Sequence, residues 1–340
     1  MENRLCLYWL PEKDGARLVR VWGENGALSL PDAVDGRPIT AIGEKCFAPV
    51  QPVPLSRCRR TGEEDASLLP VCGENLSTLS LGDAVRDLHY AAFSGCRHLT
   101  RLSLGPAVSG VGSQVFTQCS SLERVEMRAL PQQPTGLRRV LGGISSDITV
   151  VFSDGTRLFF PEVFESIDEN APAHLFSLHF EGRGYPYRQC FRQEVFNFSE
   201  YDAQFPLACG EEPVPALVRI AQLRLQSPHP PAPAEEARYR AFLLAHAREA
   251  GALWVQQRDE TALRFLCRTG LLTGDDLSFV CRQASRAGWG EGSALLLQHA
   301  ASSAIAQTRA PVRRNCSSSS FPLECADSAS TVVPNAERHR

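Results

Sequence analysis

The chain has 340 residues, of which 43% are hydrophobic and 21% are charged, and its formal net charge is −3. This balance is typical of a soluble protein with a buried core, and it excludes a strongly basic protein of the kind that coats nucleic acids. No segment contains the roughly 20 consecutive apolar residues that a membrane-spanning helix needs. The twelve cysteines show no CxxC spacing and the N-terminus shows no export signal, so we interpret the cysteines as free thiols.

The first 25 residues predict a β-hairpin that caps one end of the fold. Two apolar segments, 5–10 and 16–22, flank the turn sequence PEKDG, whose Asp-Gly pair is a strong turn signal. Segment 5–10 is shorter than the apolar core of a secretory signal, and it runs directly into this charged turn. We therefore expect a cytoplasmic protein in which thiols stay reduced.

A 23-residue repeat extends over residues 26–130. Segment 75–96 aligns with segment 98–119 without a gap, and an earlier copy begins at residue 27. The matched positions are Leu76 and Leu99, Leu79 and Leu102, Leu81 and Leu104, Val85 and Val108, Leu88 and Val111, Phe93 and Phe116, and Cys96 and Cys119. Units of this length stack into solenoids, in which one short strand from each unit joins a parallel sheet.

The spacing of the earlier copy predicts one further coil. Phe47 and Phe93 lie 46 residues apart, which is twice the repeat length. Segment 48–74 therefore has room for a coil, although its sequence matches the repeat poorly. We predict a degenerate, loop-rich coil at this place.

The repeats follow the pattern LxLPxxV…IGxxxFxxC…L. The residues that carry it are Leu30, Pro31 and Val34, then Ile42, Gly43 and Phe47, then Phe93 and Cys96, and finally Phe116 and Cys119. In this pattern the chain resembles the BspA-type leucine-rich repeat of bacterial proteins over about residues 26–128, and Gly82, Gly105 and His89 depart from it. The resemblance implies a bacterial leucine-rich repeat solenoid with a binding surface. It does not extend to the adhesin role of exported members, because no export signal is present.

The concave face of the predicted sheet is the first candidate binding surface. Residues that alternate with the inward leucines point outward along each strand. They are Thr78, Ser80, Arg101, Ser103, Arg124, Glu126 and Arg128. An arginine-rich strip suits partners that carry carboxylates, so we predict a protein partner here. The alternative is a solvated face that binds nothing.

Residues 131–212 predict a capping hairpin followed by an aromatic and charged junction. Segments 148–152 and 156–160 flank Ser-Asp-Gly, and a short acidic helix is expected over 161–170. The following stretch interleaves arginines with aromatic residues, which can bind single-stranded RNA by stacking and phosphate contacts. This alternative nucleic-acid surface consists of Arg183, Tyr185, Tyr187, Arg188 and Arg192. The competing interpretation is that the aromatic residues pack the junction and the arginines pair with nearby carboxylates.

The chain contains no P-loop, G-x-G-x-x-G, G-x-S-x-G or H-E-x-x-H motif. His174 and His179 are five residues apart, which does not fit the i, i+4 spacing of a zinc-binding helix. An enzyme site formed by these two histidines with Glu181 and Cys190 is a third hypothesis. We expect a non-enzymatic protein with no metal and no cofactor.

Residues 213–306 predict an α-helical hairpin region. The expected helices are 214–225, 235–256, 259–268, 277–287 and 294–306, with a proline-rich connection at 227–236 and a helix cap at 273–276. Residues 307–340 contain a serine run without periodicity and predict a disordered tail.

The predicted fold is therefore α/β, with a leucine-rich repeat solenoid that has a parallel sheet and β-hairpin caps, followed by an α-helical C-terminal domain. The predicted function is a non-enzymatic protein-interaction module or scaffold that uses the concave face and a helical C-terminal surface. The alternative function is an RNA-binding accessory protein that uses segment 183–192. No membrane partner is expected.

Overall fold

The computed structural model describes residues 4–50, 53–63, 65–170 and 175–309. In these ranges the strands are β1 (Leu5–Glu12), β2 (Gly15–Gly23), β3 (Ala27–Ser29), β4 (Ala33–Val34), β5 (Arg37–Ile42), β6 (Arg59–Thr61), β7 (Leu69–Pro70), β8 (Thr78–Ser80), β9 (Asp87–Leu88), β10 (Arg101–Leu104), β11 (Gly110–Val111), β12 (Arg124–Met127), β13 (Ile148–Phe152), β14 (Arg157–Phe160), β15 (Phe164–Asn170), β16 (Leu175–Glu181), β17 (Phe191–Arg192) and β18 (Val195–Phe196). The helices are α1 (Leu137–Gly142), α2 (Gly184–Arg188), α3 (Phe198–Ala208), α4 (Val214–Leu225), α5 (Pro233–Ala245), α6 (Ala247–Gln257), α7 (Glu260–Arg268), α8 (Gly274–Arg286) and α9 (Gly290–Arg309).

The parallel sheet of the solenoid contains strands in the order β3, β8, β10, β12, β13 and β14. The first five run parallel and in register, whereas β14 is antiparallel to β13. Leu28, Leu79, Leu102 and Val125 lie side by side across four strands and are at most 3% exposed. They are buried because each coil places an apolar residue against the same position of its neighbour. The predicted solenoid with a parallel sheet is confirmed.

Each coil also supplies a second short strand, which was not predicted. Strands β5, β9 and β11 pair in parallel, with Ile42 beside Leu88 and Leu88 beside Val111. Strand β5 also pairs with β2, so the N-terminal hairpin of β1 and β2 continues this second sheet. Trp9 and Leu18 of the hairpin are fully buried against the end of the stack. The predicted N-terminal hairpin cap is confirmed.

Three phenylalanines from successive coils stack inside the solenoid. The ring centroids of Phe47 and Phe93 are 5.4 Å apart, and those of Phe93 and Phe116 are 5.6 Å apart. The thiol of Cys96 donates to the carbonyl of Phe47 at 3.3 Å, and that of Cys119 donates to the carbonyl of Phe93 at 3.1 Å. All five side chains are buried, and the ten cysteines in the described residues are free thiols. Six of these ten cysteines are buried and pack as small core residues, as predicted for most of them, whereas Cys209 is exposed.

Segment 48–74 does not form a coil of the stack in its described residues. Strand β3 pairs directly with β8, and Phe47 stacks directly on Phe93, so no strand lies between these coils. Strands β6 and β7 pair instead with β1 and β2, where Leu68 contributes to a small separate core. The predicted degenerate coil is therefore wrong. The segment is an excursion over the N-terminal hairpin whose length happens to match one repeat.

The hairpin of β13 and β14 adds the last two strands to the parallel sheet, as predicted. Its turn is held by the side chain of Asp154, which accepts a hydrogen bond from the backbone N–H of Thr156 at 2.9 Å. Gly155 in the same turn has φ +85°, a conformation that favours glycine. The hairpin therefore covers the far end of the solenoid and presents strand β14 to the helices.

Segment 161–170 forms a strand rather than the predicted acidic helix. Strand β15 pairs antiparallel with β16, from Phe164 beside Glu181 to Asn170 beside Leu175. The acidic residues favour a helix start, but main-chain pairing with β16 outweighs this local preference. His174 of the proposed enzyme site lies outside the described residues.

The helical region is confirmed, and α4 has the predicted bounds. The helix predicted over 235–256 is divided at His246 into α5 and α6, because this residue has non-helical backbone angles of φ −115° and ψ 29°. Helix α3 was not predicted, α8 begins at Gly274, and α9 extends from Gly290 to Arg309. The rest of the predicted tail lies outside the described residues. None of the described helices combines the length and apolar character needed to cross a membrane.

A buried polar network joins the helices to the solenoid. The guanidinium of Arg224 donates to both carboxylate oxygens of Asp202, at 2.6 and 2.8 Å, and the hydroxyl of Tyr239 donates to the same carboxylate at 2.8 Å. Arg224 also donates to the carbonyl of His229, whose ring lies 2.8 Å from Asp154 in the β13–β14 turn. Arg224, Asp202 and Tyr239 are at most 5% exposed. These contacts fix helices α3, α4 and α5 against the end of the sheet.

Candidate functional site

The residues predicted for the concave face lie together on the outward side of the parallel sheet. We call them the outward face: Thr78, Ser80, Arg101, Ser103, Arg124, Glu126 and Arg128. The register places Arg101 between Thr78 and Arg124, with the buried Leu102 next along the strand. The two-residue period of a strand therefore turns alternate side chains away from the core. The geometry brings the predicted residues into one surface, but Ser103 is buried there and accepts a hydrogen bond from Arg128.

One carboxylate serves two arginines in the centre of the outward face. The Nε atom of Arg124 donates to Glu126 Oε1 at 2.8 Å, and the Nε atom of Arg101 lies 3.8 Å from the same oxygen. The side chains of Arg101 and Arg124 are 55% and 38% exposed. The centre of the face therefore carries an excess of one positive charge on accessible guanidinium groups.

Arg128 has a different role from the other two arginines. Its guanidinium donates to Ser103 Oγ at 2.6 Å, to Ser80 Oγ at 3.4 Å and to the carbonyl oxygen of Leu81. It also pairs with Asp83 at 2.8 Å. These contacts link three successive coils, so Arg128 holds the strands together, although its side chain is 35% exposed, nearly as much as that of Arg124.

The outward face ends in a groove of about 590 Å³ that was not predicted. We call it the junction groove and define it by Arg124, Thr149, Arg157 and Phe159 of the sheet together with Leu223 and Trp254 of α4 and α6. Thr149 lies beside Arg124 in the register, and Phe159 lies beside Thr149. The groove therefore continues the row of side chains that contains Arg101.

Two members of the predicted nucleic-acid surface are buried. Tyr187 and Arg188 are at most 1% exposed. Arg188 donates to the carbonyl oxygens of Ser146 at 2.8 Å, Gly184 at 3.0 Å and Pro161. Burial lowers the pKa of Arg188 to about 10, so its guanidinium stays charged at neutral pH. The prediction is wrong for these two residues, because they pack the junction, as the competing interpretation expected.

The other three members of that surface have partners within the chain. Arg183 lies 3.7 Å from Glu211, and Arg192 donates to Glu200 at 2.6 Å. Tyr185 stacks on Phe180 with ring centroids 4.1 Å apart. The arginines thus pair with nearby carboxylates.

The hypothesis of an enzyme site in the central segment gains no support from Cys190. Its side chain is 2% exposed, and its thiol donates to the carbonyl of Pro186 at 3.4 Å. Burial raises the pKa of Cys190 to about 12, so the reactive thiolate is disfavoured at neutral pH. Within the described ranges, no group of three or more His, Cys, Asp or Glu side chains is placed to hold a metal.

Comparison with known proteins adds little to this description. No protein-family model and no curated protein matches the chain. Among solved structures, a leucine-rich repeat protein from T. pallidum is 23% identical, with a TM-score of 0.26, and the match covers 36% of this chain. The chain spans 50% of the length of that protein. A similarity of this size carries no argument about function, and the solenoid rests on the strand register described above.

Proposed function

We propose that the chain is a protein-interaction module whose contact surface is the outward face. The observation that carries this proposal is the pair of accessible guanidinium groups, on Arg101 and Arg124, that share the carboxylate of Glu126. A guanidinium group can bind a partner's carboxylate, since its planar N–H groups donate two parallel hydrogen bonds to the two carboxylate oxygens. The strands beneath hold the backbone of both arginines at a fixed spacing, so binding has to order only their side chains.

The composition of the outward face favours a protein partner over a nucleic acid. None of its seven residues is aromatic, so the face offers no ring on which a base can stack. The negative charge of Glu126 offsets the positive charge of Arg124, and that of Asp83 offsets that of Arg128. The outward face is left with the single positive charge of Arg101. Binding to a phosphate backbone depends on many uncompensated lysines or arginines.

The proposal includes a second surface on the helical region. The exposed apolar side chains of the helices include Leu244 of α5 and Leu297 of α9, at 57% and 62% exposure, and each can contribute to such a surface. We further propose that the chain is a bacterial, cytoplasmic scaffold of BspA type that acts without enzymatic activity, cofactor or membrane partner.

Capture of partners by the immobilised full chain from a native lysate of the source organism tests the outward face. We expect at least one specific partner of the wild type to be lost when Arg101→Glu and Arg124→Glu are combined, because reversed charge repels a carboxylate. Arg97→Glu is the control. Arg97 lies in the turn before β10, its side chain is 57% exposed, and it pairs with Glu74. If the double variant retains every specific partner, the outward face is not the contact surface.

A further inference from the structure

The junction groove has an apolar floor beside the charged outward face. Phe159 and Trp254 are at most 5% exposed, and they meet Leu223 at the contact between β14 and the helices. The guanidinium of Arg219 lies 5.1 Å from the ring centroid of Phe159 and holds that ring from the helix side. Leu223, which is half-buried, is therefore the part of the floor that a side chain entering from the sheet can contact, and the buried rings of Phe159 and Trp254 support it.

Three carboxylates also line the groove, and two of them accept hydrogen bonds from backbone N–H groups. Asp147 accepts the backbone N–H of Glu162 at 2.9 Å and lies 3.9 Å from Arg219. Asp259 accepts the backbone N–H of Ala262 at 2.9 Å at the start of α7. Glu123 is exposed at the rim, where water screens its charge.

Arg157 differs from the other arginines of the groove. Its Nη2 atom donates to Gln226 Oε1 at 2.9 Å, and this neutral amide positions the guanidinium without offsetting its charge. Arg124 shares Glu126, and Arg219 lies near Asp147. Within the described part of the chain, no aspartate or glutamate oxygen lies within ion-pair distance of Arg157. Arg157 is thus an arginine of the groove without an ion-pair partner among the described residues, and a ligand carboxylate can supply that partner.

The spacing of this cation and the apolar floor defines a pattern. Arg157 and Phe159 are two residues apart on β14, so they face the same side and lie roughly 7 Å apart along the strand. An extended segment presents its own residues i and i+2 with the same spacing and on one side. A carboxylate two positions from an apolar side chain can therefore reach Arg157 while the apolar side chain lies at the level of Phe159, where Leu223 is half-buried.

We infer that the junction groove binds an extended segment of a partner protein in which an acidic residue lies two positions from an apolar one. The inference rests on the proposed function, since it names the chemistry of the segment that a protein partner presents. The carboxylate pairs with Arg157, and the apolar side chain packs on Leu223, next to the buried ring of Phe159. The segment continues past Thr149 towards Arg124 and Arg101.

A displayed library of random linear peptides, selected on the immobilised full chain, tests the inference. We expect the enriched peptides to share an acidic residue two positions from a leucine, isoleucine or phenylalanine. Synthetic copies of these peptides, labelled with fluorescein, then give affinities by anisotropy. Arg157→Gln should weaken binding by about tenfold or more, because the peptide carboxylate loses its counter-ion. Arg157→Lys should recover part of that loss, and Arg97→Glu should change nothing.

Thermal unfolding of each variant verifies that the fold is retained, and the outcomes separate the two proposals. If no peptide is enriched, if the enriched peptides lack an acidic residue, or if Arg157→Gln binds them as the wild type does, the groove proposal is wrong. Loss of peptide binding in Arg101→Glu alone would still support the outward face as a contact surface. If peptides bind but neither arginine variant weakens them, the groove proposal is wrong, whereas the outward face is overturned by the capture experiment with the double variant.

Discussion

The solenoid and the junction that follows it stabilise their interiors in different ways. The solenoid interior is a repeating apolar stack, in which Phe93 lies between Phe47 and Phe116. The junction buries full charges, of which the pair formed by Arg224 and Asp202 is the clearest. Repeated contacts are numerous and similar, whereas each junction contact occurs once. A single substitution should therefore act locally in the solenoid and disturb a whole network in the junction.

The substitution Phe93→Ala should have the largest effect. It removes the middle ring of the stack, and the cavity should lower the free energy of unfolding by about 4 kcal/mol. Urea unfolding measures this change. Tyr90→Ala in the same coil is the control, since Tyr90 is 40% exposed and its loss should cost less than about 1 kcal/mol. Equal losses for the two variants would contradict the packing role of the stack.

Asp202→Ala should follow, with a loss of about 3 kcal/mol. It leaves the guanidinium of Arg224 buried without its counter-ion, which costs more than the intact pair contributes. Hydrogen exchange should show reduced protection across α3, α4 and α5 while the coils around Phe93 stay protected. The control is Glu236→Ala, which breaks the exposed pair with Arg240 and should cost less than about 0.5 kcal/mol. Uniform deprotection of the solenoid would show that the two regions are not separable.

Substitutions of Arg128 and Arg101 compare the contributions of two arginines of the outward face to stability. Arg128→Ala removes hydrogen bonds to Ser80 and Ser103 and should lower stability by about 1 kcal/mol, because the group is partly exposed. Arg101→Ala should change stability by less than about 0.5 kcal/mol. Chemical denaturation measures the free energy of unfolding of both variants. A larger loss of stability for Arg101→Ala than for Arg128→Ala would contradict the roles assigned to the two residues.

The smallest effect at neutral pH concerns the buried thiols. Burial raises the pKa of Cys119 to about 12 from its ordinary value of 9.0. Because the folded-state pKa lies above the unfolded one, the protonated thiol stabilises the fold below pH 9, and this contribution is lost as the pH rises towards about 12. Thiol labelling at pH 8 should modify the exposed Cys209 and leave Cys119 unmodified until the chain unfolds. Labelling of Cys119 as fast as Cys209 would contradict its place in the core.

The repeat could be predicted because its copies contact each other. Leu79 and Leu102 match in the sequence and are neighbours in the sheet, so periodicity alone located them and their outward neighbours. The second strand of each coil was missed because pairs such as Asp87–Leu88 are too short to show a period. Segment 48–74 has the length of a coil, and length alone does not decide whether a strand joins the stack.

The junction could not be predicted because its contacts join residues far apart in the chain. Arg188 is buried by carbonyl groups of Ser146 and Pro161, which no local pattern indicates. The junction groove depends on how α4 and α6 lie against β14, and the pair of Arg224 and Asp202 sets that placement. The arginines beside aromatic residues in segment 183–192 predicted an exposed surface, whereas the structure buries Tyr187 and Arg188 in the core.

Site-specific photo-crosslinking tests most directly whether the outward face and the junction groove bind a partner. A photoreactive residue is placed at Thr78 on the face, at Thr149 in the groove, or at Ser120, which is exposed in a turn before β12. We predict that Thr78 and Thr149 crosslink to the same partner protein and that Ser120 does not. Crosslinks to that partner from Ser120 alone, or from none of the three positions while the partner is still captured, would contradict the proposed surface.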